Sequence, residues 1–167
     1  MTAKANTQDQ TWAVFFRKFS LLEYTLKRYG FIGPAVDKVE VDWNDFADRI
    51  RQTFEQSLQQ NESLRESVEF VETAPPKKLV PASAQEGAWV CWRDAPPSQG
   101  SRLPDLLVYL RRIRNNLFHG EKPGVFVGGA SGRDVELLQH GTAILQELER
   151  ILVTSVIPKH RHSRVPT

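Results

Sequence analysis

Little in this chain suits covalent cross-linking, membrane insertion or a surface field of one sign. Its 167 residues include a single cysteine, Cys91, so no intramolecular disulfide can form. Set between Trp89 and Trp92, that thiol reads as a small buried hydrophobe rather than a nucleophile. No apolar run approaches the roughly 20 residues that cross a bilayer, so a transmembrane role is not expected. The polar start from Met1 to Gln10 lacks the apolar stretch of a secretory signal, so the expected setting is reducing and cytoplasmic. Charge excess is missing too: 22 Lys and Arg nearly balance 20 Asp and Glu, and the net charge is +2. Any basic footprint for a nucleic acid must therefore be local. His140, His160 and His162 show no metal-ligand spacing, and Gly124 to Gly132 lacks the lysine and the strand of a phosphate-binding loop. Neither a metal nor a cofactor is expected.

What the chain does have is helical periodicity. From Thr11 to Tyr29, apolar residues recur at three- and four-residue steps (Trp12, Phe15, Phe16, Phe19, Leu22, Leu26, Tyr29), the mark of an amphipathic helix whose aromatic residues belong to the core. Gly30 and Gly33-Pro34 end it. Asp42 is a candidate N-cap for a second helix through Trp43, Phe46, Ile50, Phe54 and Leu58, with a weaker continuation toward Phe70. Between Thr73 and Leu103 the pattern is lost among Pro75, Pro76, Pro81, Pro96 and Pro97, leaving a long connection in which Ala88 to Trp92 forms a short element that docks on the core or a lid over a site. A third helix starts near Pro104 and runs to Phe118 or His119, with Gly120 as the residue after its cap. The last helix runs from Arg133 to Ile157 with Ser131 as candidate cap, and Pro158 ends it. The expected fold is all-α: one domain over residues 1–158, a four-helix-type up-and-down bundle with a long Pro-rich connection between helices two and three, then a disordered basic tail over 159–167.

Two charges fall where charges do not belong. At about 100° per residue, Glu23 lies inside the apolar arc of the first helix. In the third, Leu103, Leu106, Leu107, Leu110, Ile113 and Leu117 define the inward face and Arg114 lies within it, while Arg111 and Arg112 point elsewhere. A lone ion in an apolar interior costs several kcal/mol, so Glu23 and Arg114 are expected to pair. If that pair is fully buried, removing one partner costs roughly 3 to 5 kcal/mol. As a purely structural feature it would fix how the two helices dock. His119 stands about one turn beyond Arg114 at the helix end, and Asn115 lies four residues before it, within reach of its ring along the helix surface.

The run Arg114-Asn115-Asn116-Leu117-Phe118-His119 resembles the Arg-x4-His signature of the HEPN superfamily, small all-α proteins many of which are metal-independent ribonucleases. The resemblance covers about ten residues of the third helix and the helical frame around them. It implies a two-fold homodimer whose composite cleft brings together Arg114 and His119 of both copies as catalytic residues. Asn115 matches the polar residue often found after the motif arginine, and Glu23 the acidic residue on an early helix that contacts it; both would support the site. Histidine, with an unperturbed pKa of about 6.5, suits proton transfer to and from the 2′-hydroxyl and the leaving 5′-oxygen. The planar arginine fork suits the phosphate oxygens. Arg102, Arg111, Arg112 and Lys122 are weaker candidates for an electropositive groove along the RNA backbone. Proteins with this resemblance often act as toxins or in defence, so a cognate antitoxin is an implied partner beside the RNA substrate. The competing expectation is a non-catalytic RNA- or protein-binding helical module whose Glu23 and Arg114 are structural.

Overall fold

A computed structural model describes residues 3–83, 89–98, 100–118 and 132–157 of the protein. His119, Gly120, Lys122 and Ser131, and the basic tail from Lys159, lie outside the described residues. Within them the protein is mostly helical: five α-helices, a π turn and one two-stranded antiparallel sheet. No described helix is long and apolar enough to cross a membrane.

Helix α1 (Ala3–Arg28) starts earlier than its apolar period, and it buries Phe15, Phe19, Leu22 and Leu26 as that period requires. Each such side chain contributes about 1.5–3 kcal/mol through burial. Tyr24 departs from the expectation that the helix aromatics are core. It lies off the stripe and is 60% exposed. The helix closes in a Schellman motif: the Phe31 amide donates to the Leu26 carbonyl at 3.0 Å and the Gly30 amide to that of Lys27 at 3.2 Å. Gly30, at φ 86°, supplies the left-handed step that side-chain-bearing residues resist. Phe31 is thereby turned into the core, 1% exposed. An isolated bridge between Ile32 and Val41 then closes the following loop.

Asp42 caps α2 (Trp43–Gln60) as expected, its Oδ1 accepting from the amides of Asn44 and Asp45 at 3.1 and 2.9 Å. The weak continuation toward Phe70 is a separate helix, α3 (Glu62–Thr73). Asn61 separates the two: extended at φ −123°, it donates its amide to the Ser57 carbonyl and accepts the Leu64 amide on its side chain at 3.0 Å. The long connection therefore follows the third helix, not the second.

That connection is not structureless. Strand β1 (Lys78–Pro81) pairs antiparallel with β2 (Val90–Arg93), Leu79 opposite Trp92 and Val80 opposite Cys91. Strand β2 takes in Val90 to Trp92 of the short element expected over 88–92, whose Ala88 lies outside the described residues, and β1 meets a helix. Trp89 is 95% exposed, and Cys91 is only half-buried, with the Arg93 Nε 3.3 Å from its Sγ. A four-residue strand in a two-stranded sheet has too little partner surface to sink both faces into a core.

Helix α4 (Arg102–Phe118) begins two residues before Pro104, whose missing N–H falls in the first turn, where no carbonyl of the helix precedes it. Its face of Leu103, Leu106, Leu107, Leu110 and Ile113 is buried as the spacing predicts. Helix α5 (Gly132–Ile151) continues into a π turn at Leu152–Val156, filling the span expected of the last helix. Packed mainly on α1 and α3, and also on α2 and α4, α5 is the element around which the core is assembled.

Candidate functional site

The end of α4 faces the end of α1, and there the expected ion pair forms. Arg114 Nη2 donates to Glu23 Oε1 at 3.0 Å. The pair sits at the rim of the core, with side-chain exposures of 29% for Arg114 and 23% for Glu23, rather than inside it as the helical arithmetic suggested. Both residues line an open cleft, through which solvent reaches them. Beneath the guanidinium, the Phe19 ring lies 5.2 Å from Cζ, a cation–π contact that holds the fork's plane. Glu23 takes one of the fork's five N–H donors. Nε is buried and has no hydrogen-bond partner among the described residues.

Around this pair opens a cleft of about 510 Å³, lined in part by Glu23, Lys27, Lys38, Glu40, Trp43, Arg111, Arg114 and Asn115. Glu23, Asn115, Arg114 and Arg111 were read from the helical period and the motif. Lys27, one turn after Glu23, was available to the same arithmetic. Lys38 and Glu40 carry no periodic signal: they reach the cleft because the Gly30 turn and the Ile32 to Val41 bridge fold their loop back. Lys38 Nζ pairs with Glu40 Oε1 at 2.8 Å, and this hydrogen bond holds the Glu40 carboxyl below its ordinary range. Arg111 sets its Cζ 5.9 Å from the Trp43 ring centre. Burial, and then the like charge of Arg114, lower its pKa from a value so high that it stays a cation at neutral pH. Four cations against Glu23 and Glu40 leave the cleft net positive.

A second groove, of about 390 Å³, runs between β1 and α4 and shares Arg111 and Asn115 with the first. Arg112 and Asn116 line it but have structural bonds to make. Arg112 Nη1 donates to the carbonyls of Pro76 and Ala95 at 3.1 and 2.8 Å, and Asn116 Nδ2 to that of Lys77 at 3.0 Å. These bonds strap the connection to α4. Arg102 is remote from both grooves, bound through Nε and Nη2 to the two oxygens of Glu72 at 2.8 Å each. That hydrogen bond to Glu72 raises its pKa further. Of the weaker candidates for the electropositive groove, then, Arg111 lines both grooves and makes no hydrogen bond or ion pair among the described residues, Arg112 lines only the second while bracing the fold, and Arg102 lines neither.

His140 is accounted for locally. Its ring stacks on Phe70 at 4.3 Å and its Nδ1 lies 3.1 Å from Ser67 Oγ, whose own hydrogen goes to the Ser63 carbonyl. No three His, Cys, Asp or Glu side chains gather into a metal-binding group among the described residues.

Chemically the cleft offers an arginine fork with donors to spare, flanked by two lysines and a second arginine, one turn before a histidine in sequence. Such a set binds phosphate oxygens. Compared with protein-family models, curated proteins and solved structures, the chain shows no match, and the case for its function rests on its own residues.

Proposed function

We propose that this protein is a metal-independent endoribonuclease of HEPN type, a cytoplasmic helical bundle of up-and-down arrangement that acts as a homodimer with a composite site. Arg114 binds the scissile phosphate and its transition-state charge. His119 takes the proton of the 2′-hydroxyl as that oxygen forms its bond to phosphorus, and a histidine, the partner copy's or the same one, protonates the departing 5′-oxygen. The products are a 2′,3′-cyclic phosphate and a free 5′-hydroxyl. Glu23 orients Arg114, and Asn115 orients His119. A role as a toxin or defence nuclease held by an antitoxin protein is consistent with this chemistry.

The single observation that carries the proposal is the state of the Arg114 guanidinium. A salt bridge serving docking alone is expected to satisfy its donors, since a buried N–H without an acceptor costs about 1–3 kcal/mol. Here Glu23 engages one Nη2 donor, Arg114 makes no other hydrogen bond among the described residues, and, although its Nε is sealed from solvent, the 29%-exposed side chain opens on a cleft with Lys27, Lys38 and Arg111. That arrangement suits an anion better than it suits packing.

The deciding experiment is incubation with labelled structured RNA in excess EDTA beside His119→Ala, with product ends analysed for the cyclic phosphate. Cleavage by the wild type alone is the expected result. Salt-dependent RNA binding without cleavage across several RNAs would instead support the second reading, a non-catalytic RNA- or protein-binding module. One observation favours that reading: Lys27, Lys38, Arg111 and Arg114, cations suited to binding, already line one cleft among the described residues.

A further inference from the structure

A third cleft, of about 780 Å³, adjoins the cationic one between the α1–α2 loop and α4, and the two share Glu40, Val41, Trp43 and Arg111. Its lining differs in kind. In place of a cluster of cations it has one, Arg111, set against the carboxylates of Glu40 and Asp42, with Pro34, Pro104 and Val108 as apolar wall. A phosphate would be repelled there. A flat, uncharged heterocycle bearing amino donors meets both the apolar wall and the acceptors.

Two details sharpen this. Trp43 packs on Phe19 at 5.7 Å in a tilted pair and lies under Arg111 at 5.9 Å, so the guanidinium that lines the cleft is backed by an aromatic ring. Guanidinium planes and aromatic rings are the platforms on which unpaired bases stack. Asp42 spends both capping bonds on Oδ1, and its Oδ2 accepts none among the described residues. An acceptor is thus free at the edge of a stacking platform.

We propose that this cleft is a nucleobase subsite, in which a base with an exocyclic amine, cytosine or adenine, stacks on Arg111 and donates to Asp42 while its phosphate lies in the adjoining cleft at Arg114. The subsite rests on the reading of that adjoining cleft as an RNA site. It makes the protein a reader of single-stranded RNA with a preference at one position.

The test uses 2′-O-methyl trinucleotides, which cannot be cleaved by 2′-hydroxyl attack, titrated into the full chain: a cytidine trimer, a uridine trimer and an abasic trimer with the same phosphates. The cytidine trimer should bind roughly tenfold more tightly than the other two. Asp42→Asn keeps a good helix cap and turns the acceptor into a donor, so it should abolish that preference or reverse it toward uridine, whose O4 accepts. Equal, salt-dependent binding of all three trimers would overturn the subsite and leave the RNA reading standing. Binding of none would overturn both. A cytidine preference undiminished in folded Asp42→Asn would overturn the assigned contact.

Discussion

Arg114 and Glu23, 91 positions apart in the chain, meet through a 3.0 Å hydrogen bond at the rim of the core, each about a quarter exposed. Their partial exposure sets the size of the first expectation. Arg114→Ala should destabilise the protein by about 1–3 kcal/mol, below the 3–5 kcal/mol of a fully buried pair, because water can re-solvate the stranded Glu23 carboxylate. Urea unfolding of this variant checks it, with Glu23→Gln beside it. A loss of 4 kcal/mol or more would mean that the pair is effectively dry.

Gly141 lets α1 and α5 come together. A β-carbon there would stand 2.8 Å from Cε2 of Phe15, a core ring that is fully buried. Gly141→Ala gains helix propensity yet forces the ring or the helix to shift, and the expected balance is a loss of about 1–3 kcal/mol. For a chain of this size that lowers the melting temperature by roughly 2–4 °C per kcal/mol. Phe15→Leu in the same background should recover part of it, since a smaller side chain vacates the clash. A Gly141→Ala protein more stable than wild type would show that the interface gives way more easily than its packing indicates.

Acid stability depends in part on Glu147. Arg150 donates to both of its carboxylate oxygens, at 2.6 and 2.8 Å, and this hydrogen bonding holds the carboxyl below its ordinary range against the opposing effect of burial. A group depressed in the folded state contributes stability above its unfolded pKa and loses it as pH falls through the folded one. The unfolding free energy should therefore decline as pH drops below about 5, and in Glu147→Gln the decline should be shallower. Denaturant unfolding at a series of pH values measures both slopes. Parallel curves would remove Glu147 from the acid limb.

Neighbouring arginines should separate cleanly by role. Arg111→Gln removes a cation that lines the phosphate cleft beside Arg114 and should lower the salt dependence of RNA binding by up to about 0.7 in the log–log slope, with little change in stability. Arg112→Gln should leave that slope nearly intact and loosen the connection, since the Pro76 and Ala95 carbonyls lose their donor. Limited proteolysis of the 74–101 segment detects the second effect, and binding at several salt concentrations detects the first. Equal slope changes in both variants would contradict the division.

The helices and most of their inward faces were legible because a period near 3.6 residues is a local property of the chain. Phe15 to Leu26 and Leu103 to Ile113 are buried on the faces that arithmetic assigns them. The same arithmetic found the one carboxylate and the one guanidinium on those faces, and they do pair. It ran two helices into one at Asn61, because an asparagine within a polar stretch looks like surface until its side chain is seen to accept the Leu64 amide. It gave the connection no strands, because prolines mask four-residue segments whose pairing is non-local.

By itself, then, the sequence determined a largely helical protein, the stripes that build its core, and the identity of Glu23, Arg111, Arg114 and Asn115 as residues of interest. Only the tertiary structure decided what those residues share space with. Lys38, Glu40 and Trp43 join the cleft through a loop folded back by Gly30 and the Ile32 bridge, while Arg102 and Arg112 are claimed by Glu72 and by backbone carbonyls. The reason is physical: periodicity fixes the direction of a side chain from its own helix, but a charge's partner is set by how separate elements pack, and contacts between distant positions leave no local pattern to read.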